Sequence, residues 1–279
     1  MMIRCWGARG SIPVSGAEYL RYGGDTTCLE IRTGEDEIII IDAGTGIRKL
    51  GNRLLEEGRF RYSMILTHAH WDHILGFPFF KPIYRKGTSI RLFGCPFSQD
   101  SVQKMISKVM TVPNFPVDFE KVQAEISYHQ ACETSFAIQS MEVTPIAISH
   151  PNPGNGYKFS QDGRVFVFLT DNELTFQHPG GLEYADYVHF SSGADLLIHD
   201  SEYTREEYPA RKTWGHSVYN DALKLALDAK VKKFGLFHHN QERTDAAVDK
   251  MVEECRRAVD ARKADLECFG VYQGMEIQL

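Results

Sequence analysis

The 279-residue sequence lacks an apolar run of membrane-spanning length, a low-complexity tract, a repeat of solenoid period and any Cys-x-x-Cys pair. The first absence argues against a membrane protein, and the next two argue against disordered and solenoid architectures. Met1–Gly10 holds no apolar segment of the kind a secretory leader needs, so the expectation is a cytoplasmic protein. Only six cysteines occur (Cys5, Cys28, Cys95, Cys132, Cys255, Cys268), all scattered. They read as reduced thiols, most of them small buried apolar residues. Positive charge is also short: 31 Lys and Arg against 37 Asp and Glu leave a net charge of -6. A surface dedicated to nucleic-acid backbones is normally basic, so a polynucleotide substrate is disfavoured.

What is present is a sequence of buried elements. Uninterrupted apolar runs such as Ile38–Ile41 read as strands covered on both faces, with further strands at 27–31, 62–66, 89–93, 141–149, 164–169, 195–199 and 233–237. Helices are expected at 46–57, near 98–110, at 216–229 and at 244–261, the last with Thr244 as N-cap. Strands first, then strand–helix alternation, predict an α/β protein: two mixed β-sheets sandwiched between helices. No linker divides the chain, so the expectation is one domain with a loop-rich insertion at about 77–135. Its phenylalanines (Phe77, Phe79, Phe80, Phe97, Phe115 and Phe119) would shape the pocket or form a dimer surface, and a homodimer is the expected assembly.

The chemistry concentrates in Thr67-His-Ala-His-Trp-Asp-His73, three imidazoles and a carboxylate at a probable strand exit. Four donors so close do not easily share one tetrahedral ion, which points to two metals. More donors are then needed, and several follow predicted strands: Asp42, His150, Asp171 and the pair His238/His239. Each alone has a plain reading as a turn, cap or solvated loop residue. Their common position at strand ends is what makes them a set. Between the last two, Gly-Leu-Phe-His favours His238.

In this order the residues resemble the metallo-β-lactamase-fold hydrolases across nearly the whole chain. The resemblance implies an αβ/βα four-layer sandwich with metals at one edge. His68, His70 and His150 would hold one divalent ion; Asp72, His73 and His238 would hold the other; Asp171 would bridge them. Asp42 would orient the histidine loop from behind. Zinc is the implied metal, and manganese or iron also suit His/Asp donors. His70, where a diiron electron-transfer branch has Glu, favours hydrolysis.

Leu197-Ile-His-Asp-Ser-Glu202 and Trp214-Gly-His-Ser217 look like signatures of the phosphodiesterase branch, which contains ribonuclease Z and cyclic-phosphate phosphodiesterases. The resemblance makes His216 the acid that protonates the leaving oxygen and Asp200 the group that orients it. Asp72 would serve catalysis as well as binding, and His199 would lie behind the site. Arg9 and Ser11, in a glycine-rich opening segment, could reach a phosphate. The implied activity is hydrolysis of a small phosphodiester or cyclic nucleotide through a metal-bridged hydroxide. Asn172–Leu197, where ribonuclease Z carries a basic, Gly/Pro-rich arm, is neither, which places tRNA 3′-processing second. Lactone, thioester or β-lactam hydrolysis on the same centre, and an inert metal-loaded sensory or binding module, are the competing readings.

Overall fold

A computed structural model describes residues 1–96, 101–132 and 134–279. Six strands open the chain: β1 Met2–Gly7, β2 Cys28–Arg32, β3 Ile38–Ile41, β4 Arg61–Ile65, β5 Ser89–Gly94 and β6 Glu125–Gln130. Seven more follow: β7 Phe136–Ile138, β8 Met141–Ala147, β9 Asn155–Gln161, β10 Arg164–Leu169, β11 Leu196–Asp200, β12 Lys233–Phe237 and β13 Glu267–Gly270. Strand β14, Glu276–Gln278, returns to the first group. The helices are α1 Ile47–Glu56, α2 Trp71–Ile74, α3 Val102–Ser107, α4 Tyr184–Ser191, α5 Tyr219–Asp228 and α6 Asp245–Arg262.

The strands form two seven-stranded sheets, ordered β14-β1-β2-β3-β4-β5-β6 and β13-β12-β11-β10-β9-β8-β7. Each is antiparallel on one side and parallel on the other, the change falling at β3 and at β10. These parallel strands require both faces to be covered, and the side chains show it. In β3, Ile39 and Ile41 point into the layer between the sheets, while Ile38 and Ile40 face the helical layer containing Leu50 and Leu54. In β10, Phe166 and Phe168 face the inter-sheet core, and Val167 and Leu169 meet the layer of α4, α5 and α6. Helix, sheet, sheet, helix is the predicted four-layer order.

Several elements depart from expectation. Helix α5 starts at Tyr219 rather than at His216, because residues 216–218 run extended beside Tyr203. Within the segment 77–135, β5 is the strand expected at 89–93, but β6 is not among the expected strands; it pairs with β5 and extends the first sheet, and the segment also holds short helical turns. Of the helix expected near 98–110, the part from Val102 forms, with Ser101 as N-cap; Phe97 and residues 98–100 lie outside the described residues. The cysteines are not all reduced thiols. Cys95 and Cys132 form a disulfide, because pairing of β5 with β6 brings the ends of two strands 37 positions apart into register. The other four cysteines are free and buried, and burial pushes the Cys5 thiol up to about 12. Among the described residues no helix is long and apolar enough to cross a membrane.

Candidate functional site

One edge of the sandwich collects the C-terminal ends of β3, β4, β8, β10, β11 and β12. At three of these ends the chain turns through a left-handed residue that is not glycine: Asp42 (φ 61°), Asp171 (φ 51°) and His238 (φ 60°). Asp and His enter this region more readily than most residues, yet such turns still cost free energy and persist only where the surroundings enforce them. The strands cannot simply run on, and the side chains are thrown across the gap between the sheets. After β4, residues 67–70 extend and α2 winds one turn, which sets Asp72 and His73 side by side.

The result is two groups of donors that share one carboxylate, all buried except the half-buried His70, with Asp200 and His216 clustering beside them against His238. His68, His70, His150 and Asp171 form the first, and Asp72, His73, Asp171 and His238 the second; within each, the ligand atoms lie within 4.8 Å of one another. Asp171 Oδ2 is 3.5 Å from His68 Nε2 and 4.0 Å from His150 Nε2, while its Oδ1 is 3.1 Å from His73 Nε2 and 3.4 Å from His238 Nε2. Asp72 Oδ2 is 3.3 Å from His73 Nε2 and 3.1 Å from His238 Nε2. His70 reaches in through Nδ1, 3.1 Å from His150 Nε2.

Two observations test whether cations fit. His68 Nε2 is fully buried and has no hydrogen-bond partner, an expensive condition for a ring nitrogen unless an ion takes the lone pair. Burial also holds His150 down to about 3, against the pull of Asp171, so its ring is neutral and available as a donor. The donor set therefore fits a dinuclear metal site.

Behind the ring of inward nitrogens sits a second ring of acceptors that hold the opposite imidazole edge. His73 Nδ1 donates to Asp42 Oδ2 at 2.8 Å, and Asp42 also accepts Thr67 N and Thr67 Oγ1 at 2.8 Å each. Thr67 Oγ1 in turn accepts His68 Nδ1 at 3.1 Å. His238 Nδ1 donates to Glu202 Oε2 at 2.9 Å, and His150 Nδ1 to the Gly215 carbonyl at 3.1 Å. Gly215 has φ 94°, and a Cβ there would lie 1.9 Å from His150 Nδ1, so only glycine permits this approach.

His216 stands next to the cluster, its ring stacked on His238 with centroids 4.8 Å apart. Nδ1 donates to Asp200 Oδ2 at 2.7 Å, and Glu202 Oε2 is 3.4 Å away. Burial opposes protonation of this imidazole, but Glu202 and Asp200 outweigh it and raise the pKa to about 9.

Most residues singled out from the sequence meet at this edge; two do not act as expected. Arg9 is fully buried, and its Nε and Nη1 donate to the carbonyls of Gly23, Asn240 and Arg243, so it ties loops together and cannot reach a phosphate. Ser11 contributes its backbone: the N–H donates to Asp72 Oδ2 at 2.8 Å. His199 lies behind the site, donating Nδ1–H to the Asp200 carbonyl and accepting Asn172 Nδ2. His239 points away, with Nε2 on the Val271 carbonyl, which leaves His238 as the inward residue.

Two buried carboxylates escaped the sequence reading. Glu202 orients His238 and could have been suspected from Asp200-Ser-Glu202, whose alternation puts both acids on one side. Glu173 accepts four donors: Tyr208 Oη at 2.6 Å and Thr213 N, Gly215 N and His178 Nε2 at 2.8 Å. It clamps the loop that carries Gly215 and His216, and nothing local in the sequence signals that.

A ribonuclease Z from Haloferax volcanii is 22% identical over 291 residues, covering 88% of this chain and 87% of that protein. The metallo-β-lactamase fold protein YhfI from Bacillus subtilis superposes with a TM-score of 0.73 at 16% identity, over 99% of this chain and 98% of that one. A diphosphatase of the PhnP family gives 0.69 at 17% identity, over 100% and 97%. The family model of the β-lactamase superfamily domain matches residues 37–239, a span that holds every histidine and aspartate of the two clusters, and the chain belongs to that superfamily.

Proposed function

We propose that this protein is a metal-dependent phosphodiesterase whose substrate is a small phosphodiester or cyclic nucleotide. The observation that carries the reading is the Asp200–His216 pair beside two clusters of metal donors. Hydrolysis of a phosphodiester needs charge neutralisation at phosphorus and a proton for the departing oxygen. Two divalent ions, zinc in the first instance, held by His68, His70 and His150 and by Asp72, His73 and His238 with Asp171 between, would supply Lewis acidity and acidify water. His216 supplies the proton. Asp200 fixes its Nδ1 edge, so Nε2 is the free edge, and the neighbouring acids keep the ring protonated at neutral pH.

A small substrate is favoured by the segment 172–195. It folds back on the body of the protein, with Tyr187 buried against the Ala147 carbonyl and Tyr184 bonded to Asp228, and offers no projecting arm among the described residues. Ribonuclease activity is the second reading, favoured by the several archaeal relatives named ribonuclease Z.

The test is His216→Ala, assayed with metal analysis on bis-p-nitrophenyl phosphate, 2′,3′- and 3′,5′-cyclic nucleotides, a precursor tRNA and nitrocefin. Metal content should stay at the wild-type level while turnover of the cyclic nucleotides, whose alkoxide needs a proton to depart, falls about 10²–10⁴-fold, the range for loss of a general acid. Bis-p-nitrophenyl phosphate, whose nitrophenolate leaves unaided, should be much less affected. Near-wild-type turnover of the cyclic nucleotides, or hydrolysis of nitrocefin alone, would overturn the assignment.

A further inference from the structure

A cleft of about 760 Å³ opens directly onto Asp72. Its walls are largely apolar: Ile12 and Pro13 from the opening loop, Trp71 from α2, and Phe79, Met105 and Phe115 from the segment that follows. Three of these side chains are unusually exposed for their size, Trp71 at 75%, Ile12 at 56% and Phe79 at 53%. Contiguous apolar surface of this kind marks a binding site more often than chance, and the volume is that of a small-molecule pocket. Phe79 and Phe115 meet edge to face at 5.7 Å, and Asn114 and Lys108 add polar groups to the same wall. The junction with the metal centre is built: Ser11, at φ 61°, turns its N–H onto Asp72 Oδ2, so cleft and centre share a residue.

We propose that this cleft is the subsite for an aromatic substituent of the phosphodiester, a phenyl-like ring or a nucleobase, on the ester oxygen that does not depart. The proposal rests on the phosphodiesterase reading. The assignment to the retained substituent follows from position. The cleft lining contains Asp72 but neither His150 nor His216, whereas His216 sits against His150 and His238, on the side where the departing oxygen takes its proton. Flat aromatic walls favour a flat apolar guest, which stacks while displacing water from Trp71 and Phe79.

The experiment uses p-nitrophenyl phosphodiesters of constant leaving group whose second substituent is methyl, phenyl or 2-naphthyl. In the wild type, kcat/KM should rise along the series by about tenfold or more, the scale of a filled apolar subsite. Phe79→Ala should flatten the series and Phe79→Trp should restore it. Independently, diphenyl phosphate but not dimethyl phosphate should perturb tryptophan fluorescence, and Trp71→Phe should remove that change. Equal kcat/KM for all three substituents would overturn the subsite while leaving phosphodiester hydrolysis intact; no hydrolysis of any of them would refute the parent reading instead. If sedimentation shows a dimer that Phe79→Ala dissociates, the cleft is an interface between copies and the proposal falls.

Discussion

Glu173 offers the sharpest perturbation, because its effect should be large although it touches neither metal donor nor substrate. The carboxylate is buried and accepts two donors on each oxygen. Glu173→Gln keeps the shape but leaves one carbonyl oxygen, so two bonds survive and two donors face an amide NH2. Hydrogen bonds to a charged group contribute roughly 1.5–3 kcal/mol each. The surviving oxygen should stay with the buried pair, His178 and Gly215, while Thr213 and Tyr208 turn partly to water. The net cost is then near the lower end, about 2–3 kcal/mol. For a domain somewhat smaller than this one, 1 kcal/mol moves Tm by roughly 2–4 °C, so a fall of roughly 5–10 °C is expected by calorimetry. Glu173→Ala strips all four bonds and should cost more than the conservative change. It should also loosen Gly215 and with it both His150 and His216; misplacement of catalytic groups by about 1 Å lowers turnover on the order of 100-fold. That loss should appear in kcat at 25 °C, well below the unfolding transition. Tm and kcat of Glu173→Gln both equal to wild type would refute the clamp.

Two further outcomes follow from other buried contacts. Asp42→Asn keeps the side-chain outline but loses the charge that accepts His73 and Thr67, and metal affinity should drop about 10–100-fold in competition with a chelating dye; unchanged affinity would show that Asp42 does not orient the loop. Asp195 is held below the usual carboxylate value: partial burial pushes it up, but Lys232 and the Val165 N–H win. A depressed carboxyl stabilises the fold above its unfolded pKa and loses that contribution as pH falls through the folded value. The acid limb of stability below about pH 4 should therefore be shallower in Asp195→Asn. Parallel Tm profiles between pH 7 and pH 3 for variant and wild type would count against it.

The fold was legible where burial on both faces left a continuous signal. Ile38–Ile41 could only be an inner strand, and its alternate residues serve two different cores. Thr244 was legible as a cap because its hydroxyl accepts the Ala247 N–H, a purely local interaction. The clustered histidines and aspartates could be found because each lies beyond a strand end and because four of them crowd into Thr67–His73. Interactions made by distant pairs were not legible. Arg9 sits among glycines and reads as a surface cation, yet carbonyls from residues 23, 240 and 243 enclose it. Glu173 draws on partners up to 42 positions away. Strand β9 begins Asn-Gly and was hidden by the turn-rich residues before it, although Tyr157 and Phe159 alternate into the interior. Chain topology, rather than composition, decides such contacts.

The two donor clusters draw on both sheets: residues 68–73 leave β4 of the first, while His150, Asp171 and His238 leave strands of the second. Asp72 and His238 are 166 positions apart. Ions held between them would act as a non-covalent cross-link that closes very long loops, and the entropy of such closure has to be met before such a link can form. Such a link would form late, after the sheets have docked, and then lock them. Unlike the Cys95–Cys132 bond it would be indifferent to reductant, so the hold of one sheet on the other should track the supply of free metal, while the redox poise acts only on the β5–β6 edge of the first sheet.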